Sequence, residues 1–238
     1  MKISVIGAGG LRTPLVLRAI ARRAEALGLT ELSLIGPASR RLDIVAGARS
    51  GLATAELEEG AAAGDSKLKY FLERVRVQRG SEVGRAVEGA NFVISTFRVG
   101  GMEGRVADER VALDLGLLGQ ETTGPGGFAM AMRSIPVLFR LIDEMEKRCP
   151  EAWLINFANP SGLLTEAARN VRRYQRSVGI CDAPSGLAAI IATVLGESPE
   201  DVALGYFGLN HLGWVRSVRD ASGERLPELI AMMEAVGG

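Results

Sequence analysis

Cys181 and Asp182 set a thiol beside a carboxylate inside the hexapeptide Gly179-Ile180-Cys181-Asp182-Ala183-Pro184. Residues 176–180 read as a strand and residues 185–191 as a helix, so both side chains are expected on a strand-to-helix loop, where open α/β sheets bind ligands. The competing reading makes Cys181 a small buried hydrophobe and Asp182 a helix cap. His211, the only histidine, stands near a strand end in Gly208-Leu209-Asn210-His211-Leu212-Gly213-Trp214. Such a lone imidazole serves structure or chemistry. Arg98 follows the buried strand Asn91–Thr96 and can grip a phosphate or carboxylate through two parallel N–H bonds; it can also simply pair with Asp108 or Glu109. Asn156 and Asn159 flank the turn that ends Asn156-Phe157-Ala158-Asn159-Pro160-Ser161-Gly162. Their amides suit sugar hydroxyls, and they equally favour turns.

These residues need a scaffold, and the chain opens with one. Lys2–Ile6 is a β-branched run that ends at Gly7-Ala8-Gly9-Gly10, then Leu11-Arg12-Thr13-Pro14 leads into a helical segment from Leu15. Strand, glycine turn and helix begin a dinucleotide-binding βαβ unit, in which the turn brings a pyrophosphate to N–H groups at a helix N-terminus. Gly7, Gly9, Gly10, Leu11, Arg12 and Thr13 are therefore the expected cofactor residues. The third glycine of the fingerprint is replaced by Arg12. Glu31–Ile35 is the second strand, followed by Gly36 where an acidic residue would hold the adenine ribose. Ser39, Arg40 and Arg41 stand where a 2′-phosphate could be met, with Asp43 one helical turn further on. Strand and helix patterns then alternate without a repeat or linker, as in a single doubly wound sheet. The polar, glycine-dense run Gly119–Gly127 reads as a ligand clamp, and a long amphipathic helix is expected from Phe128 to about Arg148.

The chain has 238 residues, of which 47% are hydrophobic and 24% charged, enough for a sizeable core. Basic and acidic residues balance at 28 each, so nothing in the charge favours a nucleic acid or a membrane surface as partner. Two cysteines make no disulfide framework, and neither a signal peptide nor a bilayer-spanning apolar run is present. A cytoplasmic location is the default.

Taken in order, Gly7–Gly10, Arg98–Gly101, Gly119–Gly127, Asn156–Gly162, Gly179–Pro184 and Gly208–Trp214 resemble glycoside hydrolase family 4, the NAD- and manganese-dependent glycosidases, and the 6-phospho-β-glucosidases within it most closely. The resemblance implies a Rossmann-like doubly wound α/β domain of lactate/malate dehydrogenase type over residues 1–197, followed over 198–238 by the start of an α+β C-terminal domain. It further implies hydrolysis of 6-phospho-β-glucosides by redox elimination. NAD oxidises C3, the C2 proton is lost to a base, a metal-stabilised enediolate expels the aglycone, water adds and the hydride returns. In this scheme Cys181 and His211 ligate a divalent metal, manganese in the family, and Asp182 is the acid for the leaving oxygen. Arg98 and Asn159, with Asn156, would hold the substrate, a phosphorylated disaccharide or aryl glycoside, and the protein would be a homodimer or homotetramer.

Two departures bear on these expectations. Gly36 replaces the family's acidic residue, which leaves NADP open beside NAD. Family members are about twice this length, and the tyrosine that resembles their C2 base lies beyond Gly238. The chain is thus expected to carry the cofactor and metal residues without the base. Other readings of the same residues are an NAD(P)-dependent 2-hydroxyacid dehydrogenase, with His211 as acid/base, and a non-catalytic nucleotide-binding fragment.

Overall fold

A computed structural model describes residues 1–10, 12–37, 42–43 and 66–237. Leu11, Ser39, Arg40 and Arg41, four of the residues proposed above to meet a cofactor, lie outside the described residues. The chain forms two compact units, Met1–Gly179 and Ile180–Gly238.

The first unit is built on a six-stranded sheet. Its strands are β1 (Lys2–Ile6), β2 (Glu31–Ile35), β3 (Arg76–Gly80), β4 (Phe92–Ser95), β5 (Trp153–Asn156) and β6 (Ser177–Gly179). They run parallel in the order β3-β2-β1-β4-β5-β6. Parallel strands need crossovers, and these are helical: α1 (Thr13–Arg23), α2 (Ser66–Arg74), α3 (Val83–Val87), α4 (Gly101–Asp114), α5 (Gly124–Arg148) and α6 (Ser161–Glu166), the last running on into a π-helical turn, Ala167–Val171. Helices on both faces explain why β1 and β2 are apolar along nearly their whole length. Ile3, Val5, Leu32 and Leu34 face α1 and α2 through Leu17, Ile20 and Phe71. Ile6, Ile35, Val93 and Leu154 face the other way, onto Leu138, Leu141, Ile142 and Met145 of α5. Ser4 interrupts the apolar run, and its buried hydroxyl donates to the Ala86 carbonyl of α3 at 2.8 Å.

The expected helix from Phe128 begins earlier, at Gly124. The reason is close packing: a Cβ on Gly126 would lie 2.6 Å from the Gln120 carbonyl oxygen, and one on Gly127 would lie 2.5 Å from the Thr122 carbonyl carbon. Glycines at these positions let the first turn of α5 rest directly on the 120–122 loop.

In the second unit, α7 (Ala183–Leu195) and α8 (Leu226–Gly237) accompany an antiparallel sheet of β7 (Ala203–Leu209), β8 (Leu212–Asp220) and β9 (Gly223–Glu224). Ile191 and Leu195 of α7 share a core with Val202, Val218 and Leu229. The helix after the hexapeptide therefore packs within this unit.

The strand order reverses between β1 and β4, and the two backbones leave the sheet there in close contact. Gly7 has φ +96°, and a Cβ on it would sit 2.4 Å from the Phe97 nitrogen. Gly28 also has positive φ, +59°, but open space around it. Gly28→Ala should cost only about 1 kcal/mol for the left-handed backbone. Gly7→Ala should cost at least about 3 kcal/mol, from strain plus a clash with main chain. Urea unfolding of both variants checks this; equal losses would mean the close approach does not constrain the fold.

Candidate active site

At the switch point, the glycine turn is fastened to the neighbouring strands by main chain. The Gly7 and Ala8 N–H groups both donate to the Ile35 carbonyl at the end of β2, at 2.7 and 2.8 Å. On the other side the Thr96 hydroxyl donates to the Gly7 carbonyl at 3.1 Å, and the Thr96 N–H to the Ile6 carbonyl at 2.7 Å. Gly9 and Gly10 continue the turn, with the Gly10 N–H returning to the Gly7 carbonyl at 3.1 Å. Arg12 stands at the N-cap of α1, its guanidinium 5.9 Å from the centre of the Phe157 ring, and a proline follows in the first turn. Thr13 is 1% exposed, and its hydroxyl oxygen has no hydrogen-bond partner among the described residues. An unsatisfied buried hydroxyl at a helix N-terminus is an unmet polar demand, and a dinucleotide's pyrophosphate would meet it. The residues fit the cofactor. Gly36 confirms that no carboxylate directly follows β2, and Asp43 is engaged by Arg79 at 2.6 Å.

A second group of residues gathers where β4 and β5 end. The Arg98 Nη2 donates to Glu121 Oε1 at 2.7 Å, the Asn159 Nδ2 donates to the same oxygen at 3.0 Å, and Arg105 Nη1 lies 3.2 Å from Glu121 Oε2. The expected partners of Arg98, Asp108 and Glu109, are occupied elsewhere: Asp108 takes both Nη groups of Arg133, and Glu109 takes Arg105 Nε at 2.7 Å. Glu121 is thus the residue that unites Arg98 and Asn159, and it went unassigned from sequence although it stands in the quoted glycine-rich run. Its signal was an acidic side chain in a segment otherwise suited to anions. Burial works to raise the Glu121 pKa, but hydrogen bonds from Asn159 and Arg98 and the charges of Arg98 and Arg105 outweigh it and hold the carboxyl below its ordinary value. Arg98 and Arg105 face the carboxylates of Glu121 and Glu109, so the charges of the group are matched. Arg98 also keeps a buried Nη1 with no partner among the described residues, a donor suited to an anionic ligand.

Arg133 fixes the loop that carries Arg98. Its Nε donates to the Val99 carbonyl at 3.0 Å while its other nitrogens grip the buried Asp108 in a two-point ion pair. Asn156 does not join the Arg98 group. It is 1% exposed, accepts the Ser95 hydroxyl at 2.8 Å and donates to the Ala158 carbonyl at 3.2 Å, so its amide holds the turn after β5. The glycine-dense run, expected as a clamp, turns Gly126 and Gly127 against its own backbone and presents Glu121.

The hexapeptide and the lone histidine meet within the second unit. Cys181 Sγ lies 3.7 Å from His211 Nε2. An ion about 2.3 Å from sulfur and 2.0–2.1 Å from nitrogen at a tetrahedral angle would set its two donors about 3.6 Å apart. The observed separation fits two ligands of one ion. His211 is held at φ +59° in the two-residue turn joining β7 to β8. Histidine is among the residues that adopt this left-handed region several-fold more often than most, so the turn accommodates it. Asp182 occupies the N-cap position of α7, yet its carboxylate makes no capping bond; its Oδ1 lies 4.0 Å from the Cys181 sulfur. No group of three or more His, Cys, Asp and Glu side chains able to hold a metal occurs among the described residues.

Of the tyrosines in the chain, Tyr174 is buried, donates to the Ala152 carbonyl at 2.7 Å and has its pKa pushed up to about 12 by burial and the neighbouring Cys149. It is a structural residue. Tyr206 lies over Gly213, where a Cβ would meet its hydroxyl oxygen at 2.0 Å.

Residues 2–197 match the model of the family 4 glycosyl hydrolases. The 6-phospho-alpha-glucosidase 1 of Lacticaseibacillus paracasei is 41% identical over 154 residues, 64% of this chain and 35% of that protein. The 6-phospho-beta-glucosidase of Escherichia coli is 34% identical over 233 residues, 97% of this chain and 48% of that one. The chain therefore spans half or less of the length of these curated relatives. The structure of the 6-phospho-beta glucosidase from Thermotoga maritima with manganese, NAD+ and glucose-6-phosphate superposes with a TM-score of 0.81 at 31% identity, covering 99% of this chain and 54% of that chain. A lactate dehydrogenase from Eimeria maxima shares the fold alone, at 18% identity and a TM-score of 0.59 over 97% of this chain and 60% of that one. No described helix is long and apolar enough to cross a membrane.

Removing the Glu121 charge should loosen the Arg98 group. Glu121→Gln is expected to lower the unfolding free energy by about 1–3 kcal/mol at neutral pH, the range for hydrogen bonds to charged groups. Because the folded pKa lies below the unfolded one, this contribution is complete above the unfolded value and is lost as pH falls through the folded one. The difference between wild type and variant in urea unfolding should therefore shrink below about pH 4. A difference that stays constant into acid would show that the carboxylate charge is not what binds the group.

Proposed function

Because the chain belongs to family 4 of the glycosyl hydrolases, we propose that it carries the nucleotide, metal and phosphosugar residues of a 6-phospho-glucosidase acting by redox elimination. The observation that carries this reading is the thiol–imidazole pair, Cys181 and His211 at 3.7 Å, in a chain whose other unit is a nucleotide-binding sheet. A dehydrogenase acting on 2-hydroxyacids has no need of that thiol, and the likeness to a lactate dehydrogenase is one of fold alone.

When bound, NAD would supply a temporary hydride acceptor and a divalent ion would supply Lewis acidity at the sugar hydroxyls. The remaining work belongs to side chains of this chain. The glycine turn and the N-terminus of α1 bind and orient the pyrophosphate, with Thr13 as the nearest buried hydroxyl. Cys181 and His211 hold the ion, manganese by likeness to the Thermotoga structure. A thiolate and an imidazole are softer donors than manganese ordinarily takes, so substrate oxygens complete its shell. Asp182, not bound to its own helix as a cap, gives a proton to the leaving oxygen.

Arg98 and Asn159 receive the 6-phosphorylated sugar, with Arg98 offering its unpartnered Nη1 to an anionic group. Glu121 keeps both side chains in place. Asn156 supports this set from beneath by fixing the turn on which Asn159 sits, a role in place of substrate contact. The base that removes the C2 proton is not among these residues, since Tyr174 is buried with a raised pKa. We place it in the part of the family fold that this chain does not span. The natural substrate would be a phosphorylated disaccharide or aryl glycoside, and the working protein a homodimer or homotetramer in the cytoplasm.

Release of nitrophenol from 6-phosphorylated nitrophenyl α- and β-glucosides, with NAD and manganese under reducing conditions, tests the reading in the protein carrying this chain. Cleavage should need both cofactors and the phosphate. Arg98→Ala should reduce kcat/KM for the phosphorylated glucoside by at least about tenfold, the loss of roughly one charge-assisted hydrogen bond, and abolish the preference over the unphosphorylated one. Net reduction of NAD by 2-hydroxyacids without glycoside cleavage would overturn the proposal.

A further inference from the structure

Position 36 is where the glycine turn meets the end of β2, and it carries no side chain. Nothing in the fold demands glycine there. Gly36 does not have positive φ, and a Cβ on it would lie 3.5 Å from the Gly9 nitrogen and 3.8 Å from the Ala8 nitrogen, which are ordinary contact distances. At Gly7, by contrast, a Cβ would sit 2.4 Å from the Phe97 nitrogen. A side chain at position 36 is thus allowed, and it would project onto the turn, at the place where a carboxylate in such folds accepts from the 2′-hydroxyl of the adenine ribose. The same carboxylate repels a 2′-phosphate. Its loss removes a grip on NAD and the discrimination against NADP together.

A guanidinium stands beside this gap. The pairing of β2 with β3 continues one residue past β2, where the Gly36 N–H donates to the Gly80 carbonyl at 3.1 Å. Arg79 lies opposite Leu34 in the register. Paired residues of neighbouring strands share a sheet face, as do residues two apart on one strand, so Arg79 and position 36 lie on the same face. Strand spacing and rise put their Cα atoms about 8 Å apart, a distance an extended arginine side chain largely crosses. Arg79 Nη1 donates to Asp43 Oδ1 at 2.6 Å, and the two side chains are 58% and 64% exposed. An ion pair so exposed contributes little, and the fork keeps further N–H groups for a second acceptor. We propose that the nucleotide site of this chain takes NADP at least as well as NAD, with Gly36 leaving room for the 2′-phosphate and Arg79 meeting it. The inference rests on the reading of the first unit as nucleotide-binding, and it sets this chain apart from the Thermotoga protein, whose structure holds NAD+.

Equilibrium dialysis of the 238-residue chain against NADH and NADPH, with no sugar and no turnover, tests this. NADPH should bind at least as tightly as NADH. Gly36→Asp should reverse the order, moving the ratio of the two dissociation constants toward NADH by at least about tenfold, the scale of one charge-assisted contact. Arg79→Ala should move the ratio the same way by at least about tenfold, and Arg79→Lys should recover part of the change, since a point charge lacks the fork. A misfolded fraction lowers the bound amount of both nucleotides alike and leaves the ratio intact. Tighter binding of NADH than of NADPH by the unaltered chain would overturn the proposal, as would a ratio that either Gly36→Asp or Arg79→Ala leaves unchanged. These results count against NADP alone. Binding of neither nucleotide would overturn the reading of the first unit as nucleotide-binding, and this proposal with it.

Discussion

The main chain leaving β1 passes so close to the main chain leaving β4 that only a hydrogen fits between them at Gly7. Much in the first unit follows from this approach. It occurs where the strand order reverses, so the crossover helices on either side diverge and a crevice opens at the strand ends. The glycine turn is held there by the Ile35 carbonyl of β2 on one side and by Thr96 on the other. A substituent at Gly7 would push β1 and β4 apart and disturb both the turn proposed to meet the nucleotide and the loop that leads to Arg98.

The electrostatics of that loop are arranged in two layers. Arg133 and the buried Asp108 form an ion pair whose worth is mainly geometric, because desolvation of both charges offsets much of their attraction. What the pair secures is the Val99 carbonyl, and with it the approach to Arg98. Above it, Glu121 gathers Arg98, Arg105 and Asn159 around one carboxylate. Glu109 balances Arg105 in turn, so the side chains are ordered by matched charges. The group is preorganised, and Arg98 Nη1, unpartnered among the described residues, is its open donor.

Much of this was legible in the sequence, for definite reasons. Lys2–Ile6 and Asn91–Thr96 are short apolar runs bounded by glycine, a pattern that in a parallel sheet covered on both faces has few other meanings. The pairing of Cys181 with His211 came from ordered motifs and a family resemblance; no local periodicity links two residues 30 positions apart. The role of Glu121 was not legible, because it depends on a loop folding back so that three separate elements converge on one side chain. Asn156 misled for the opposite reason: an amide at a strand end looks the same in sequence whether it faces a ligand or its own turn. The packing of α7 was not legible either, because it reads as one more helix of the alternating series, and its core partners Val202, Val218 and Leu229 lie beyond it in sequence.

The proposed function requires that the thiol and the imidazole serve one ion. Their 3.7 Å separation and the left-handed backbone of His211 are jointly explained by ligation, while either alone has a structural explanation. Anaerobic titration with cobalt(II), monitored by absorption, reports a cysteine ligand directly through its thiolate-to-metal charge-transfer band. The account predicts such a band, saturating at one ion per chain, absent in Cys181→Ser and weakened at least tenfold in apparent affinity in His211→Ala, a loss of about 1.4 kcal/mol or more. A band that survives Cys181→Ser, or no band at all in the reduced protein, would contradict it.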